Sequence, residues 1–199
     1  MQSMSAPYPV TFTFDPPEKV ANWRALVAWL LAIPHFAVLY VLGIVSNVVG
    51  LVSWVMILFT GALPEGLANV QAMYIRYSTR VFTYSSFMRE EYPPFAFDTT
   101  APDPGGDARV RLDFVPELAN RNRLTCAFRI ILVIPQLIVL SVLWLGGFIA
   151  YVIAFFAVLF TGRWPQGLRD YVVKVMRWNQ RVQMYGLLLT DVYPPFTLD

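Results

Sequence analysis

The sequence has few of the residues from which most enzymatic sites are built. It holds one cysteine, Cys126, and one histidine, His35, in 199 residues. A lone cysteine excludes an internal disulfide and a cysteine-based metal cluster; at the start of an apolar helix it reads as a small packing residue. One histidine excludes a multi-histidine metal site. A Ser-His-Asp arrangement would need His35 inside an apolar run, far from every aspartate. The glycines form no phosphate-binding loop, so no cofactor and no catalytic residue is expected. Charge is scarce too: Asp, Glu, Lys and Arg make up 14% of the chain, against about 25% in soluble domains. A net charge of +2 is too small to point to nucleic acid. The opening MQSMSAPYPV has no basic segment followed by an apolar one, so no cleavable signal peptide is expected.

What the chain has instead is apolar sequence. Hydrophobic residues make up 57% and the mean hydropathy is +0.52. Forty residues between Arg24 and Glu65, and thirty-three between Arg129 and Arg163, contain no charge. Both runs exceed the ~20 residues that cross a hydrocarbon core, and they predict an integral membrane protein. As one helix the first run would measure ~60 Å. A break is therefore predicted at Gly43-Ile44-Val45-Ser46-Asn47, and another at Leu145-Gly146-Gly147. Each run then becomes a hairpin with arms of about 16–20 residues, the third helix reaching back towards Leu124 as Arg129 snorkels to the interface. Charges would lie on one side only, which the positive-inside rule makes the cytoplasm. The expectation is a multi-pass protein of the cytoplasmic membrane with both termini inside and Ser46 open to labelling from outside. The rival, suggested by the short arms, is two re-entrant hairpins in one leaflet.

The chain is also a duplication. LFTGALPEGL at 58–67 returns as LFTGRWPQGL at 159–168. At the same offset of 101, Ile33-Pro34 matches Ile134-Pro135, Arg76 matches Arg177, Arg80 matches Arg181, and Tyr92-Pro93-Pro94-Phe95 matches Tyr193-Pro194-Pro195-Phe196. At an offset of 100, Val10, Phe12 and Phe14 match Val110, Leu112 and Phe114. The repeats span about 8–98 and 108–199, joined by the Pro/Gly/Asp-rich linker 99–107. Repeat one places a membrane hairpin at about 25–63 and an interfacial helix at about 64–89. Repeat two places them at about 124–162 and 165–190. The alternating openers, VTFTF and VRLDF, read as strands, and each YPPF segment as an extended partner for one of them. The fold class is mainly α and integral to the membrane. It comprises two parallel repeats, each a transmembrane helical hairpin plus an amphipathic interfacial helix, with short extended segments on the cytoplasmic side.

Candidate sites are few. The helix after each LFTG motif carries an apolar stripe with a 3,4 spacing, such as Leu67, Val70, Tyr74, Tyr77, Val81, Tyr84 and Met88. Arg76, Arg80, Lys174, Arg177 and Arg181 occupy the other side. They are either solvated or hold anionic lipid head groups; alternatively, the stripes pack on each other or on a partner helix. His35 and Gln136, each after a proline within an apolar run, form an intramembrane polar pair, functional or structural. The motif itself reads as a corner. Thr60 bonds freed carbonyls, Gly61 takes the left-handed C-terminal position and Pro64 starts the next helix. A phosphate on the following helix N-terminus is open only in repeat two, where Arg163 and Arg169 replace Ala62 and Ala68.

The tandem [IL]P, LFTG-x-x-P-x-GL, arginine-helix and YPPF pattern resembles a family of bacterial, largely actinobacterial, membrane proteins catalogued as a domain of unknown function. The resemblance covers nearly the whole chain and implies a duplicated two-helix membrane module without assigned functional residues. The expected partners are membrane lipids, including anionic ones, and a protein within the membrane, with no nucleic acid. The expected function is a non-enzymatic scaffold or accessory subunit of a membrane complex. The alternative is lipid or small-molecule binding or transport at the repeat interface.

Overall fold

In a computed structural model the described residues are 8–100, 103–107 and 109–198. Residues 1–7, on which the signal-peptide expectation rests, lie outside them, as do Ala101, Pro102, Ala108 and Asp199. The elements are β1 (Val10–Phe14), α1 (Arg24–Leu31), α2 (Ile33–Thr60), α3 (Glu65–Ser85), β2 (Val110–Phe114), α4 (Arg123–Ala127), α5 (Arg129–Thr161) and α6 (Gln166–Gly186). Proline sets where the first apolar run bends. Pro34 lacks the N–H that would continue α1 into α2, and the interruption falls at Ala32. In repeat two the interruption falls at Phe128, and Pro135 is accommodated inside α5.

The expected hairpin breaks are not there. Gly43, Ser46 and Asn47 lie within the 28 residues of α2, and Gly146 and Gly147 within the 33 residues of α5. At 1.5 Å per residue these helices measure roughly 42 and 50 Å. The small residues serve close approach instead of turning. A Cβ on Gly146 would stand 2.6 Å from the Tyr171 hydroxyl, and one on Gly50 3.4 Å from Gln71. Ser46 is 3% exposed and donates to Gln71 Oε1 at 2.5 Å, so it is no exposed tip. The helical hairpins are α2 with α3 and α5 with α6, each shorter helix running back along its long partner. Since α2 does not turn, Arg24 before it and Glu65 after it stand towards its opposite ends.

Both long helices are apolar and largely uncovered. They are long and apolar enough to cross a membrane, and only 17% and 22% of their most apolar stretches are buried. A core helix of a water-soluble domain would be covered on most sides. The exposed residues fall on one stripe of α2, including Tyr40, Ile44, Val48, Leu51, Val55 and Phe59. The stripe of α5 includes Ile130, Ile134, Leu145, Phe148, Phe156 and Phe160.

The repeats meet head to tail, not in parallel. Val20 N donates to Gly162 O at 2.7 Å, and its counterpart Arg121 N donates to Gly61 O at 3.0 Å. Asn22 Nδ2 reaches Leu159 O, and Trp54 Nε1 reaches Cys126 O. The beginning of each repeat therefore lies beside the end of the other's long helix, which places the pseudo-twofold axis across those helices. Two equivalent pairs mark it. β1 and β2 pair antiparallel with Phe12 opposite Leu112, and Gln180 Nε2 donates to Thr79 Oγ1 at 2.6 Å. The sheet packs on α3 and α6, β2 of repeat two against α3 and β1 of repeat one against α6. Among the described residues β1 and β2 are the strands; the YPPF segments pair with neither, and wrap onto the helices.

The LFTG corner forms as its residues require. Thr60 Oγ1 donates to Met56 O at 2.7 Å, and Thr161 Oγ1 to Ala157 O at 2.6 Å. Gly61 and Gly162 adopt φ of 72° and 67°, the left-handed position that closes a helix. Their surroundings differ. A Cβ on Gly61 would meet the flexible Arg123 guanidinium at 3.2 Å, whereas one on Gly162 would meet the Val20 carbonyl at 2.9 Å. Gly61→Ala should therefore cost about 1–2 kcal/mol, the left-handed penalty alone. Gly162→Ala should cost distinctly more, because a main-chain carbonyl cannot swing aside. Thermal melting in detergent, followed by circular dichroism, measures the difference.

Candidate functional site

The arginines of repeat one lie inside the protein. Arg76 and Arg80 are each 2% exposed, because β2 and the linker cover the side of α3 opposite α2. Arg80 Nη2 pairs with Asp103 Oδ1 at 2.9 Å, and Arg89 Nη1 with Asp107 Oδ2 at 2.5 Å. Arg76 donates to Thr100 O and Leu112 O. The linker is thus fastened to α3 and to the segment just after it through its own aspartates, whose other oxygens accept from Leu112 N, Arg109 N and Val110 N. Burial raises the Asp107 carboxyl, but the Arg89 guanidinium and these N–H groups outweigh it and hold it below the usual range. In repeat two Lys174 is exposed, while Arg177 and Arg181 are half-buried beside Tyr8, Thr11 and Thr13. Arg181 lies over the Tyr8 ring at 5.8 Å and donates to Thr197 Oγ1. The five basic side chains, read from the sequence as either solvated or holding lipid head groups, thus have different surroundings.

His35 and Gln136 are each engaged within their own repeat. His35 Nδ1 shares a hydrogen bond of 2.6 Å with the Tyr77 hydroxyl, and its ring stacks on Phe95 at 4.2 Å. Gln136 Nε2 donates to Pro194 O at 2.6 Å and its Oε1 accepts from Trp178 Nε1 at 2.8 Å. Both therefore bind the YPPF segment against the second helix of the hairpin. Tyr84 and Tyr92, and their counterparts Tyr185 and Tyr193, meet edge to face at 5.3 Å in both repeats.

A further ionic cluster belongs to repeat two alone. Asp191 Oδ1 accepts from Arg121 Nη2 at 2.7 Å and from Arg129 Nη2 at 2.5 Å, and Arg129 lies 3.9 Å from the Tyr185 ring centroid. Glu90 stands at the equivalent place in repeat one, where it accepts from Ala21 N; Val20 and Ala28 replace the two arginines. Burial pushes the Asp191 carboxyl up, but Arg121, the Asn122 N–H and Arg129 outweigh it and hold it at about 2.

An apolar, aromatic-walled cavity lies between the repeats. It measures about 320 Å³ and is walled by Trp29, Phe36 and Phe82 from repeat one and Trp144, Phe148 and Tyr151 from repeat two. Ser85, Ser86, Gly147, Trp164 and Val172 complete the lining. No charged side chain lines it. Trp144 meets Phe82 edge to face at 5.4 Å, and Phe87 packs on Tyr151 and Trp164 at 4.9 and 5.7 Å. Phe87, just beyond the end of α3, has a φ of 46°, where a bulky side chain is strained. Fully buried, it holds the aromatic wall in place. Both serine hydroxyls donate to Phe82 O. Trp164 is 6% exposed, and its Nε1 has no acceptor among the described residues.

The twofold counterpart of this cavity is built differently. Gly43, Ser46, Asn47, Gly50, Leu63 and Gln71 stand where Trp144, Gly147, Phe148, Tyr151, Trp164 and Val172 stand. There Ser46 and Gln71 hydrogen-bond each other twice. The aromatic cleft is one-sided. Sequence reading missed it because its walls come from five helices, although the aromatic substitutions between the repeats were a visible signal.

Among the described residues no three His, Cys, Asp or Glu side chains are grouped to hold a metal. A family model described as "Domain of unknown function (DUF4389)" matches the chain twice, over residues 22–96 and 123–197. Neither the curated proteins nor the solved structures provide a match.

Because the folded state holds Asp191 ionised below the ordinary range of ~3.9, its contribution to stability is complete above pH ~4. It is lost as the pH falls towards 2. Asp191→Asn leaves two buried guanidinium groups without their carboxylate, at a cost of about 3–5 kcal/mol at neutral pH. Melting curves from pH 7 to pH 2 should show the native protein losing its advantage over this variant between pH 4 and 2.

Proposed function

We propose that this chain, which belongs to the DUF4389 family and takes no activity from it, is a membrane-embedded protein that holds an apolar molecule between its repeats. The molecule is a lipid tail or a small hydrophobic ligand. The one-sided aromatic cleft carries the reading. A duplicated fold has no packing reason to replace the Ser46–Gln71 pair with an aromatic-walled space on one side only. The volume of about 320 Å³ lies in the range of small-molecule sites, and the apolar lining with few polar groups is characteristic of them. The exposed stripes of α2 and α5 face lipid, while the sheet and the linker with its paired arginines cover α3 and α6. No histidine, cysteine or charged side chain lines the cleft to activate Ser85 or Ser86, whose hydroxyls are spent on Phe82 O, so the reading is non-enzymatic. The stripes also favour a second reading, a scaffold on which a partner's membrane helix packs; a stoichiometric protein retained in mild detergent would support it.

Three of the six tryptophans, Trp29, Trp144 and Trp164, line the cleft, so a heavy-atom quencher reports occupancy directly. In phosphatidylcholine nanodiscs, 12-bromododecanol should quench the native protein saturably. Ser85→Phe, which places a ring in the cleft, should weaken that binding at least ~10-fold, about 1.4 kcal/mol, with an unchanged circular dichroism spectrum. Quenching that never saturates, or that Ser85→Phe leaves intact, contradicts the reading.

A further inference from the structure

Beside the cleft, at the corner between α5 and α6, lies a second and polar cavity. It measures about 470 Å³ and is lined by Glu18, Arg163, Trp164, Gln166 and Arg169. Trp164 is the wall common to both cavities. Its indole N–H, buried and without an acceptor among the described residues, is a donor at the boundary between them. Arg169 is anchored by a bond from Nη1 to Pro17 O at 3.3 Å, and its Nε is also buried without an acceptor. Among the described residues neither Arg163 nor Arg169 has a carboxylate partner within 4.0 Å. The first main-chain bond of α6 runs from Arg169 N to Pro165 O. The N–H groups of Gln166, Gly167 and Leu168 therefore stand at the corner as orphan donors, at the positive end of the helix dipole. No side chain caps that helix end.

We infer that this corner holds the phosphate of an anionic lipid whose acyl chain lies in the aromatic cleft. The inference rests on the cleft reading above and names its ligand. Two guanidinium groups and a helix N-terminus supply charge and donors on one side of Trp164, whose unpartnered indole N–H is at the boundary. On the other side is a charge-free aromatic channel. That combination suits an amphiphile better than a free anion or a neutral hydrophobe. At the corresponding corner repeat one keeps the uncapped helix end of α3 but not the side chains. Ala62, Leu63, Glu65 and Ala68 replace Arg163, Trp164, Gln166 and Arg169, and the guanidinium near that corner, Arg123, comes from the other repeat. The arginines and the aromatic wall thus occur together, in the same half of the molecule. Glu18, the acidic group in the cavity, opposes an anion and sets a limit on affinity.

The test uses the full chain in phosphatidylcholine nanodiscs with three probes: 12-bromododecyl phosphate, 12-bromododecanol and inorganic phosphate. The native protein should bind the phosphate ester more tightly than the alcohol. Replacing both arginines, Arg163→Gln with Arg169→Gln, should weaken the ester about 10- to 30-fold, as expected for two basic groups at ~1 kcal/mol each near a membrane surface. The alcohol should bind that variant as before, which also shows that it is folded. Lysine at both positions should restore most of the loss, and Glu18→Gln should tighten the ester a few-fold. If the alcohol binds but the ester binds no more tightly, the head-group site is wrong and the cleft stands. If inorganic phosphate alone displaces the ester completely at equal concentration, the corner is a free-anion site and the amphiphile is wrong. If neither brominated probe binds saturably, the cleft reading fails as well.

Discussion

The structure depends on the two reciprocal bonds that close the glycine corners. A helix leaves its last carbonyls without internal partners, and beside an apolar surface each unmet carbonyl is expensive. Here Gly61 O and Gly162 O accept from Arg121 N and Val20 N of the opposite repeat. Neither corner is complete within its own repeat. The consequence is the head-to-tail arrangement, which sets α1 against α5 and α4 against α2 and brings α3 and α6 across each other at Thr79 and Gln180. The same axis passes between Phe12 and Leu112, so the two opening strands meet as a pair. One short segment, repeated, thereby fixes the position of almost every other element.

Departures from this symmetry are confined to particular places. The His35 and Gln136 positions both hold a YPPF segment, by different chemistry. Arg121, Arg129 and Asp191 form an ionic cluster where repeat one uses Val20, Ala28 and Glu90. Such changes preserve the fold while altering what holds it. The aromatic cleft and the basic corner beside it are a different case, because they create space and unpaired donors without tightening the packing. The divergence of Trp164 from Leu63 sits where both cavities meet.

Much of the architecture could be read from the residues, because it is local. The duplication, the corner formed by Thr60 and Gly61, and the helices that follow it depend on spacing within a few turns. The hairpin breaks failed because glycine and serine in an apolar run have two uses. Gly43, Ser46 and Gly146 serve close packing against Tyr74, Gln71 and Tyr171, and only the partner helix reveals that. The first forty-residue run also divides among α1, α2 and the corner loop, so it never had to be one helix or two equal arms. Arg76 and Arg80 lie opposite the apolar stripe, as their spacing requires. Yet they are buried, because Asp103, Thr100 and β2 arrive from 20 or more residues away. The aromatic substitutions in repeat two are legible, but the cleft they form has walls from five helices that only the packing brings together.

The head-to-tail closure is tested most directly by cross-linking, with Cys126 replaced by serine so that introduced cysteines are alone. Asn22 donates to the Leu159 carbonyl, so cysteines at 22 and 159 should form a disulfide in native membranes under mild oxidation. Cysteines at 22 and 123, equivalent positions that parallel repeats would bring together, should not. A disulfide between 22 and 123 in place of 22 and 159 would contradict the arrangement on which the corners, the sheet and the cleft depend.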